Sequence, residues 1–256
     1  MGKVLSSKQR EMPNWFLEMY LTIRGIVFLG SKYTCPCCGW KVREFANRGS
    51  SFRVRHLSYC PRCDSKARHR RDWLYLKEET NLFSEHIRLL HVSPKYCFSR
   101  HFTKMPNLEY IGVDLDNRRN IDIKMDVTAT PIQSNTFDAI ICIHVLEHVK
   151  DDRKAMREFF RVLKPGGWAL ISSPIRLDQK TVEDPTITSR EERKRVFGER
   201  SHYRYYGYDM FERLEESGFK VRLDLGQDVD QKTQEIYGLR DDENIFFCSK
   251  PLSGSI

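Results

Sequence analysis

The chain has 256 residues, of which 40% are hydrophobic, and this suits one large domain with a small appendage. No apolar run approaches the roughly 18 to 20 residues that span a bilayer, and the N-terminus lacks a secretory signal, so we expect a cytoplasmic protein. The net charge of +8 is concentrated in residues 1–80, where 16 Lys and Arg stand against 7 Asp and Glu. Such a basic region suits RNA, an anionic lipid surface or an acidic substrate.

Residues 1–30 are predicted to contain an amphipathic helix. Its apolar residues recur at helical spacing and form one stripe: Met12, Trp15, Phe16, Met19, Tyr20, Ile23 and Val27. We expect this stripe to pack against the rest of the protein. The alternative is a peripheral contact with a lipid interface.

Five of the eight cysteines cluster between residues 35 and 63. Two CPxC turns, with 21 residues between them, have the spacing of a four-cysteine zinc ribbon. We therefore predict a zinc-ribbon-like subdomain and linking helix at residues 31–80. The predicted ligands of a structural Zn2+ are Cys35, Cys38, Cys60 and Cys63. Four thiolates leave no open coordination position, so the zinc ion is expected to be structural and not catalytic. The alternative interpretation of the cluster is a set of reactive or redox cysteines.

Residues 137–174 have the pattern of a strand, a helix and a second strand. Residues 137–143 form an apolar, β-branched run of the kind that a strand buried on both faces requires. Apolar residues at helical spacing follow, and a Lys-Pro-Gly-Gly stretch is predicted to end that helix before a strand at 168–172. A crossover of this kind implies parallel pairing, and therefore an α/β sheet.

Within this unit, the sequences HVLEHV and RVLKPGG resemble the class I, type 11-like methyltransferases that depend on S-adenosylmethionine (SAM). With the CPxC turns and the later FGxxxHxRxYG pattern, the chain resembles a subfamily that carries an N-terminal four-cysteine, zinc-ribbon-like motif. The resemblance implies a Rossmann-like, doubly wound sheet at residues 81–256, with six parallel strands and one antiparallel edge strand. The implied strands are 87–92, 110–114, 123–126, 137–143, 168–172, 219–225 and 244–249.

The resemblance also implies a SAM site at the carboxyl ends of the strands. By position, Asp114 would hold the ribose hydroxyls and Asp126 the adenine amino group, since carboxylates accept such hydrogen bonds. The other implied cofactor contacts are His91, Ser93, Pro94, Leu115, Val127 and His144. The first loop departs from the family pattern because it has no glycine, so Ser93 and Pro94 must allow the close approach that glycine usually permits.

The candidate general base is His148 or His202, because an imidazole suits proton removal near neutral pH. His148 has packing or helix capping as its alternative role. The insertion at residues 175–209 is long, polar and aromatic, and loops of this length are often functional. The candidate acceptor-binding residues in it are Asp184, Arg204 and Tyr206, and an arginine there suits an anionic acceptor.

We therefore expect methyl transfer from SAM to a small-molecule or glycan-like acceptor, with oxygen as the favoured methylated atom. The first alternative is an RNA methyltransferase whose basic zinc ribbon binds RNA. The second is a SAM-fold binding module without catalytic activity, which the glycine-free loop motivates.

Overall fold

The computed structural model describes residues 14–46, 59–116 and 121–252. The N-terminal part contains helix α1 (Asn14–Val27), strands β1 (Leu29–Thr34) and β2 (Lys41–Val42), and helix α2 (Ala67–Glu79). Strands β1 and β2 form an antiparallel hairpin, and the first cysteine turn connects them. The second cysteine turn leads into α2, so both turns lie close to the start of the sheet domain.

The sheet domain follows in a regular alternation of strands and helices. Up to the fifth sheet strand its elements are β3 (Ile87–Val92), α3 (Tyr96–Phe102), β4 (Leu108–Asp114), β5 (Ile123–Lys124), β6 (Phe137–Ile143), α4 (Asp152–Val162) and β7 (Leu163–Ser172). The later elements are β8 (Ile175–Arg176), β9 (Val182–Glu183), α5 (Arg190–Phe197), β10 (Arg204–Gly207), α6 (Met210–Glu215), β11 (Lys220–Asp224), α7 (Gln231–Tyr237) and β12 (Ile245–Ser249).

The main sheet has seven strands in the order β11-β12-β7-β6-β3-β4-β5. Strand β12 is antiparallel to both of its neighbours, and the other pairings are parallel. The predicted α/β sheet with six strands in one direction and one reversed is therefore confirmed. The reversed strand lies one position in from the edge, with β11 outside it. The order reverses direction at β3, which puts a crevice beyond the carboxyl ends of β3 and β6.

The strand, helix and strand unit forms largely as its sequence predicts. Strand β6 has the predicted bounds, and the side chain of Asp151 caps α4 by accepting a hydrogen bond from the Lys154 amide at 2.9 Å. The predicted start of β7 at residue 168 is wrong, because the strand begins at Leu163, which pairs with Phe137. Its register shifts before Trp168, and Gly166 has a φ of +81°. The Lys-Pro-Gly-Gly stretch therefore forms an irregular part of the strand.

Helix α1 is inverted relative to the expectation that its apolar stripe packs inward. Leu21 is the large apolar side chain that it buries, at 1% exposure, whereas Trp15 is 68% exposed. Met12, also predicted in the stripe, lies outside the described residues. The packing prediction is therefore wrong for the rest of the stripe. In the described parts of the chain, no helix is long and apolar enough to cross a bilayer.

Many N-terminal cations point into the protein and not into solvent. Arg70 is fully buried and donates hydrogen bonds to the carbonyl oxygens of Tyr237 and Gly238 at 2.7 and 2.6 Å. Arg71 pairs with Asp224 of β11. The positive charge of residues 1–80 therefore serves in part to join the N-terminal part to the sheet domain.

Candidate functional site

The loop after β3 has the backbone geometry of a glycine loop without containing glycine. Ser93 has a φ of +49°, in the left-handed region that non-glycine residues rarely adopt. Its amide donates a hydrogen bond to the Val113 carbonyl at 2.7 Å, and its hydroxyl lies 3.3 Å from Lys95 Nζ. The turn therefore closes against the end of β4, beside the crevice where a cofactor is expected in such sheets.

The predicted ribose-binding carboxylate lies at this same edge. Asp114 is the last residue of β4 and is largely buried, and its Oδ1 accepts a hydrogen bond from the Asp116 amide at 3.0 Å. Leu115 is exposed immediately after it, and Val127 is buried beyond β5. Asp126 is exposed, and its carboxylate accepts a hydrogen bond from the Thr128 amide at 2.8 Å. The two predicted carboxylates thus lie at or just after the ends of neighbouring strands of the sheet, and the cofactor roles of these residues stay predictions.

The side chain of His91 does not face the crevice as an exposed cofactor contact would. Its ring is fully buried against the rings of Phe98, Phe102 and Tyr110. Burial lowers the pKa of His91 to about 3, so the ring is neutral at physiological pH. A contact of this residue with a cofactor is therefore limited to its backbone.

A buried carboxylate organises the loop after β6. Glu147 is 1% exposed, and its two oxygens accept hydrogen bonds from His144 Nδ1 at 3.2 Å and Ser173 Oγ at 2.7 Å. Burial is the largest single influence and opposes ionisation of Glu147, but the hydrogen bonds from His144 and Ser173 and the neighbouring histidines together outweigh it, and the pKa falls to about 2. Burial, helped by the cation of Arg68, lowers the pKa of His144 to about 4. The pair is therefore an ionised carboxylate with a neutral imidazole at neutral pH.

The two predicted catalytic histidines lie together over this carboxylate. The ring centroids of His148 and His202 are 4.7 Å apart in an edge-to-face arrangement. Nitrogen atoms of both rings and an oxygen of Glu147 lie within 4.8 Å of one another. The Tyr203 amide donates a hydrogen bond to the Glu147 carbonyl at 2.8 Å, which fixes the insertion to the loop after β6. The structure thus brings together two residues that are 54 positions apart in the sequence.

The hydrogen bond of His202 determines which of its nitrogens can take a proton. Its Nδ1 lies 3.2 Å from the Phe197 carbonyl, which can only accept, so Nδ1 carries the hydrogen. Nε2 then holds the lone pair of the neutral ring. Burial lowers the pKa of His202, although the carboxylate of Glu147 partly opposes this shift. The ring is therefore neutral at physiological pH and suited to accept a proton at Nε2.

Two of the three candidate acceptor-binding side chains lie in the interior, and we correct their assignment. The guanidinium of Arg204 is 4% exposed, donates to the carbonyl oxygens of Leu146, Val149 and Lys150, and pairs with Glu183 at 2.9 Å. Tyr206 is fully buried and donates to Asp152 Oδ2 at 2.7 Å. Both side chains are used in holding the insertion on the sheet domain, so neither is available to a substrate.

Asp184 is exposed, unlike those two side chains, and it forms a local turn. Its Oδ1 accepts hydrogen bonds from the amide and hydroxyl of Thr186 at 2.8 and 2.6 Å. These bonds lower its pKa. This is the geometry of an Asx turn, and the predicted contact with an acceptor stays a prediction.

Sequence reasoning missed the network that anchors the insertion. Asp152 is 3% exposed and accepts from Tyr206 and, at 3.3 Å, from Arg213 Nη1. Arg213 also pairs with Glu183 at 2.8 Å. The sequence signal was weak, because charged residues at these spacings are usual on solvated surfaces. Only the tertiary fold shows that they meet in the interior.

The four predicted metal ligands converge. The sulfur atoms of Cys35, Cys38, Cys60 and Cys63 all lie within 4.8 Å of one another, and the 35–63 and 38–60 pairs are 3.6 and 3.7 Å apart. Tetrahedral coordination with Zn–S bonds of about 2.3 Å requires sulfur separations of about 3.8 Å. Positive φ angles at Gly39 and Asp64 shape the two turns, in which their amides donate to the carbonyls of Cys35 and Cys60. The donor set fits zinc.

Part of the chain is similar in sequence to known methyltransferases. Residues 97–171 match the family model described as a methyltransferase domain. The chain is 40% identical over 76 residues to the ubiquinone/menaquinone biosynthesis C-methyltransferase UbiE of Pasteurella multocida, covering 28% of this chain and 26% of that protein. It is 45% identical over 69 residues to UbiE of Cronobacter sakazakii, covering 27% and 25%. The chain thus spans about a quarter of the length of the curated relatives it matches.

Similar chains also occur among solved structures. The [4+2]-cyclase SpnF is 16% identical with a TM-score of 0.49, and the match covers 93% of this chain and 94% of that one. A SAM-dependent methyltransferase from Archaeoglobus fulgidus is 16% identical with a TM-score of 0.47, covering 69% and 92%.

The segment that matches the family model contains part of the candidate site. Residues 97–171 run from α3 to β7 and so include the loop with Glu147 and His148. The segment that matches the methyltransferase-domain family thus supplies β4, β5, β6 and most of β7 of the seven-stranded, mostly parallel sheet.

Proposed function

We propose that the chain transfers the methyl group of SAM to a small-molecule acceptor. The observation that carries the proposal is the meeting of His148 and His202 over the buried Glu147, at the carboxyl edge of a sheet with this strand order. The insertion brings His202 to the edge, so the site is built from the matched domain and from a segment outside it. The methyltransferase names of the relatives support the reaction class.

SAM, when bound, supplies an electrophilic methyl group for direct displacement. Asp114 would hold the ribose hydroxyls, Val127 would lie against the adenine ring, and the loop at Ser93 would face the methionine part. His202 Nε2 removes the proton from the acceptor as the new bond forms, and His148 lies beside it to position the acceptor or relay that proton. The anchored insertion would help to align the acceptor with the methyl group and limit access of water.

The acceptor is proposed only as a small molecule from which a proton must be removed. The relatives are named as C-methyltransferases of quinone biosynthesis, which supports a quinone-like acceptor and makes carbon an alternative to the oxygen expected from the sequence. An oxygen acceptor becomes a better nucleophile when its own hydroxyl loses its proton, and a ring carbon does so when a neighbouring hydroxyl loses its proton, so the same histidine serves both cases.

RNA is not favoured as the acceptor. In the part of the chain that the structure describes, Arg24, Arg62, Arg70 and Arg71 all make internal ion pairs or hydrogen bonds. Residues 47–58, with three further arginines, lie outside the described residues. Binding of RNA that weakens steeply with salt, together with labelled RNA after incubation with SAM, would instead support the RNA alternative.

The decisive experiment combines binding with transfer. SAM binding is measured by calorimetry, and transfer is measured with labelled SAM and fractionated small-molecule extracts, followed by mass analysis of the labelled product. We expect Asp114→Asn to weaken SAM binding, and His202→Asn to keep binding while lowering the transfer rate by roughly 10²- to 10⁴-fold. The rate should fall as the pH drops through the lowered pKa of His202. Binding without any transfer would favour the inactive binding module.

We also propose that the four converging cysteines hold one structural zinc ion. Elemental analysis should find about one zinc per chain, and Cys60→Ser should lower this content and destabilise the N-terminal part. Cys37→Ser is the matched control, because Cys37 is buried in the same turn but its sulfur lies against the His69 carbonyl at 3.5 Å. Equal zinc loss in both variants, or no zinc in the wild type, would contradict the four-thiolate site.

A further inference from the structure

Helix α1 turns its apolar face outward and its charged side chains inward. At about 100° per residue, its exposed apolar side chains fall within an arc of about 140°. They are Trp15, Phe16, Met19, Tyr20, Ile23, Ile26 and Val27. Leu29, at the start of β1, is also exposed and extends the surface. We call these eight side chains the α1 face.

The orientation of α1 is fixed by polar contacts on its other side. Glu18 pairs with Arg62 at 3.0 Å and Arg100 at 3.3 Å, and it accepts a hydrogen bond from the Tyr96 hydroxyl. Arg24 pairs with Asp64. The only two charged residues of this helix are thus committed to the body of the protein. The outward turn of the apolar face is therefore built into the fold.

Exposed cations border the α1 face but do not interrupt it. Lys32 and Lys41 are exposed on the β1–β2 hairpin that follows the helix directly. Arg43 is also exposed and stacks over the Phe28 ring at 5.4 Å, with Glu44 the acidic neighbour. An apolar centre that carries no charge, with cations at its rim, matches the interface of an anionic membrane.

A second copy of the chain fits this surface less well. A 14-residue helix is about 21 Å long and about 10 Å wide, so its face covers only a few hundred Å². A stable dimer buries roughly 800 Å² per partner. The α1 face also contains one tryptophan and one tyrosine, Trp15 and Tyr20, among apolar side chains. This composition is typical of helices that lie at a lipid interface.

We infer that the α1 face docks on the surface of an anionic lipid membrane, with α1 lying in the interfacial plane. Tyr96 and Arg100, which hold Glu18, belong to α3, the helix that follows the Ser93 loop. Docking therefore holds the carboxyl edge of the sheet near the lipid surface. The inference rests on the exposed helix and not on the methyl-transfer proposal, so each can fail without the other.

The test is flotation of the full chain with vesicles of phosphatidylcholine, with or without phosphatidylserine. We expect binding to the anionic vesicles that weakens with salt. Trp15→Glu with Ile23→Glu should weaken it by roughly tenfold or more. Leu252→Glu is the matched control. Leu252 is 65% exposed but lies beside Gly166, near the start of β7, so the change should leave binding unchanged. Thermal melting of each variant shows whether the fold is kept.

A second readout reports on the face itself. The fluorescence of Trp15 is obtained as the difference between the wild type and Trp15→Phe. Bromine-labelled lipid should quench this fluorescence. Absence of vesicle binding by the wild type, or binding equally strong in Trp15→Glu with Ile23→Glu, would overturn the inference. A wild-type dimer that this double variant converts to monomer, without vesicle binding, would assign the face to a second copy instead.

Discussion

Two regions meet at the carboxyl edge of the sheet, and different forces hold them there. The unit from β6 to β7 is held by apolar burial, with Ala155, Met156 and Phe159 of α4 packed under the sheet. The insertion at residues 175–209 is held by buried charges, chiefly Arg204 with its ion partners Asp152 and Glu183. Apolar packing is not directional, whereas hydrogen-bonded charges fix both distance and angle. The insertion can therefore deliver His202 to one position without a large core of its own.

The largest expected effect comes from breaking the charged network. Arg204→Met removes one partner and leaves Asp152 and Glu183 with fewer cations, so we expect a loss of about 3 to 5 kcal/mol in the free energy of unfolding. Arg200→Met is the matched control, because Arg200 pairs with Glu191 on the surface and should cost less than about 1 kcal/mol. Urea denaturation measures both. Similar losses in the two variants would show that the network does not anchor the insertion.

The next effect concerns pH and the His144–Glu147 pair. In the unfolded chain His144 takes a proton near its ordinary pKa of 6.5, whereas in the fold it does so only near 4. The unfolded state therefore binds more protons between these values, and stability falls as the pH drops from 6.5 to 4. A shift of this size amounts to about 3 kcal/mol. Glu147, with its pKa lowered to about 2, loses its own contribution only as the pH falls from its ordinary value near 4.5 towards 2.

The variant His144→Asn tests this dependence. Asparagine tolerates the left-handed backbone, where His144 has a φ of +53°, and removes the titrating ring. The free energy of unfolding should then depend less steeply on pH between 6.5 and 4, with the buried His91 supplying part of the remaining slope. His86→Asn, at an exposed histidine, is the control. An unchanged slope in His144→Asn would mean that this ring does not titrate as inferred.

A smaller effect is expected in the apolar unit. Ile140→Val in β6 removes one buried methyl group and should cost about 0.5 to 1.5 kcal/mol. Because the change leaves the edge of the sheet intact, we expect no change in the rate of methyl transfer by the folded protein. A larger loss of stability than in Arg204→Met would reverse the comparison between the two regions.

Some strand bounds and the cysteine convergence could be predicted from local patterns in the sequence. The orientation of α1 could not, because it depends on residues far away in the chain. The bounds of β3 and β6 were predicted correctly because each is a short, continuous apolar run. Cysteine spacing likewise predicted the convergence of the four sulfur atoms. Helical periodicity correctly indicated one apolar face on α1, but the inward orientation was wrong. The orientation of α1 is determined by the ion pairs of Glu18, whose partners Arg62 and Arg100 lie 44 and 82 positions away in the sequence.

The same limit explains the two residues corrected in the insertion. Arg204 and Tyr206 stand in a polar, aromatic segment that looks accessible in sequence. Their burial follows from the short strand β10, which pairs with both β8 and β9 and turns these side chains towards Asp152. Two-residue strands such as β8 and β9 are too short to show a period in sequence.

The smallest expected effect concerns the glycine-free loop after β3, which belongs to neither region and in which Ser93 has a left-handed backbone conformation. Ser93→Gly relieves a left-handed conformation that costs about 1 to 2 kcal/mol, but glycine also gains about 0.5 to 1 kcal/mol of freedom in the unfolded chain. We therefore expect a net stabilisation of about 1 kcal/mol or less, measured by thermal melting. Asn135→Gly, at a φ of +56°, is the control away from the site, and it should gain less because asparagine tolerates this conformation and its side chain accepts from Lys250 Nζ. If Ser93→Gly destabilises the protein, the Ser93 hydroxyl and its contact with Lys95 contribute more to stability than the strain removes. If Ser93→Gly weakens SAM binding, the strained serine is part of the cofactor site.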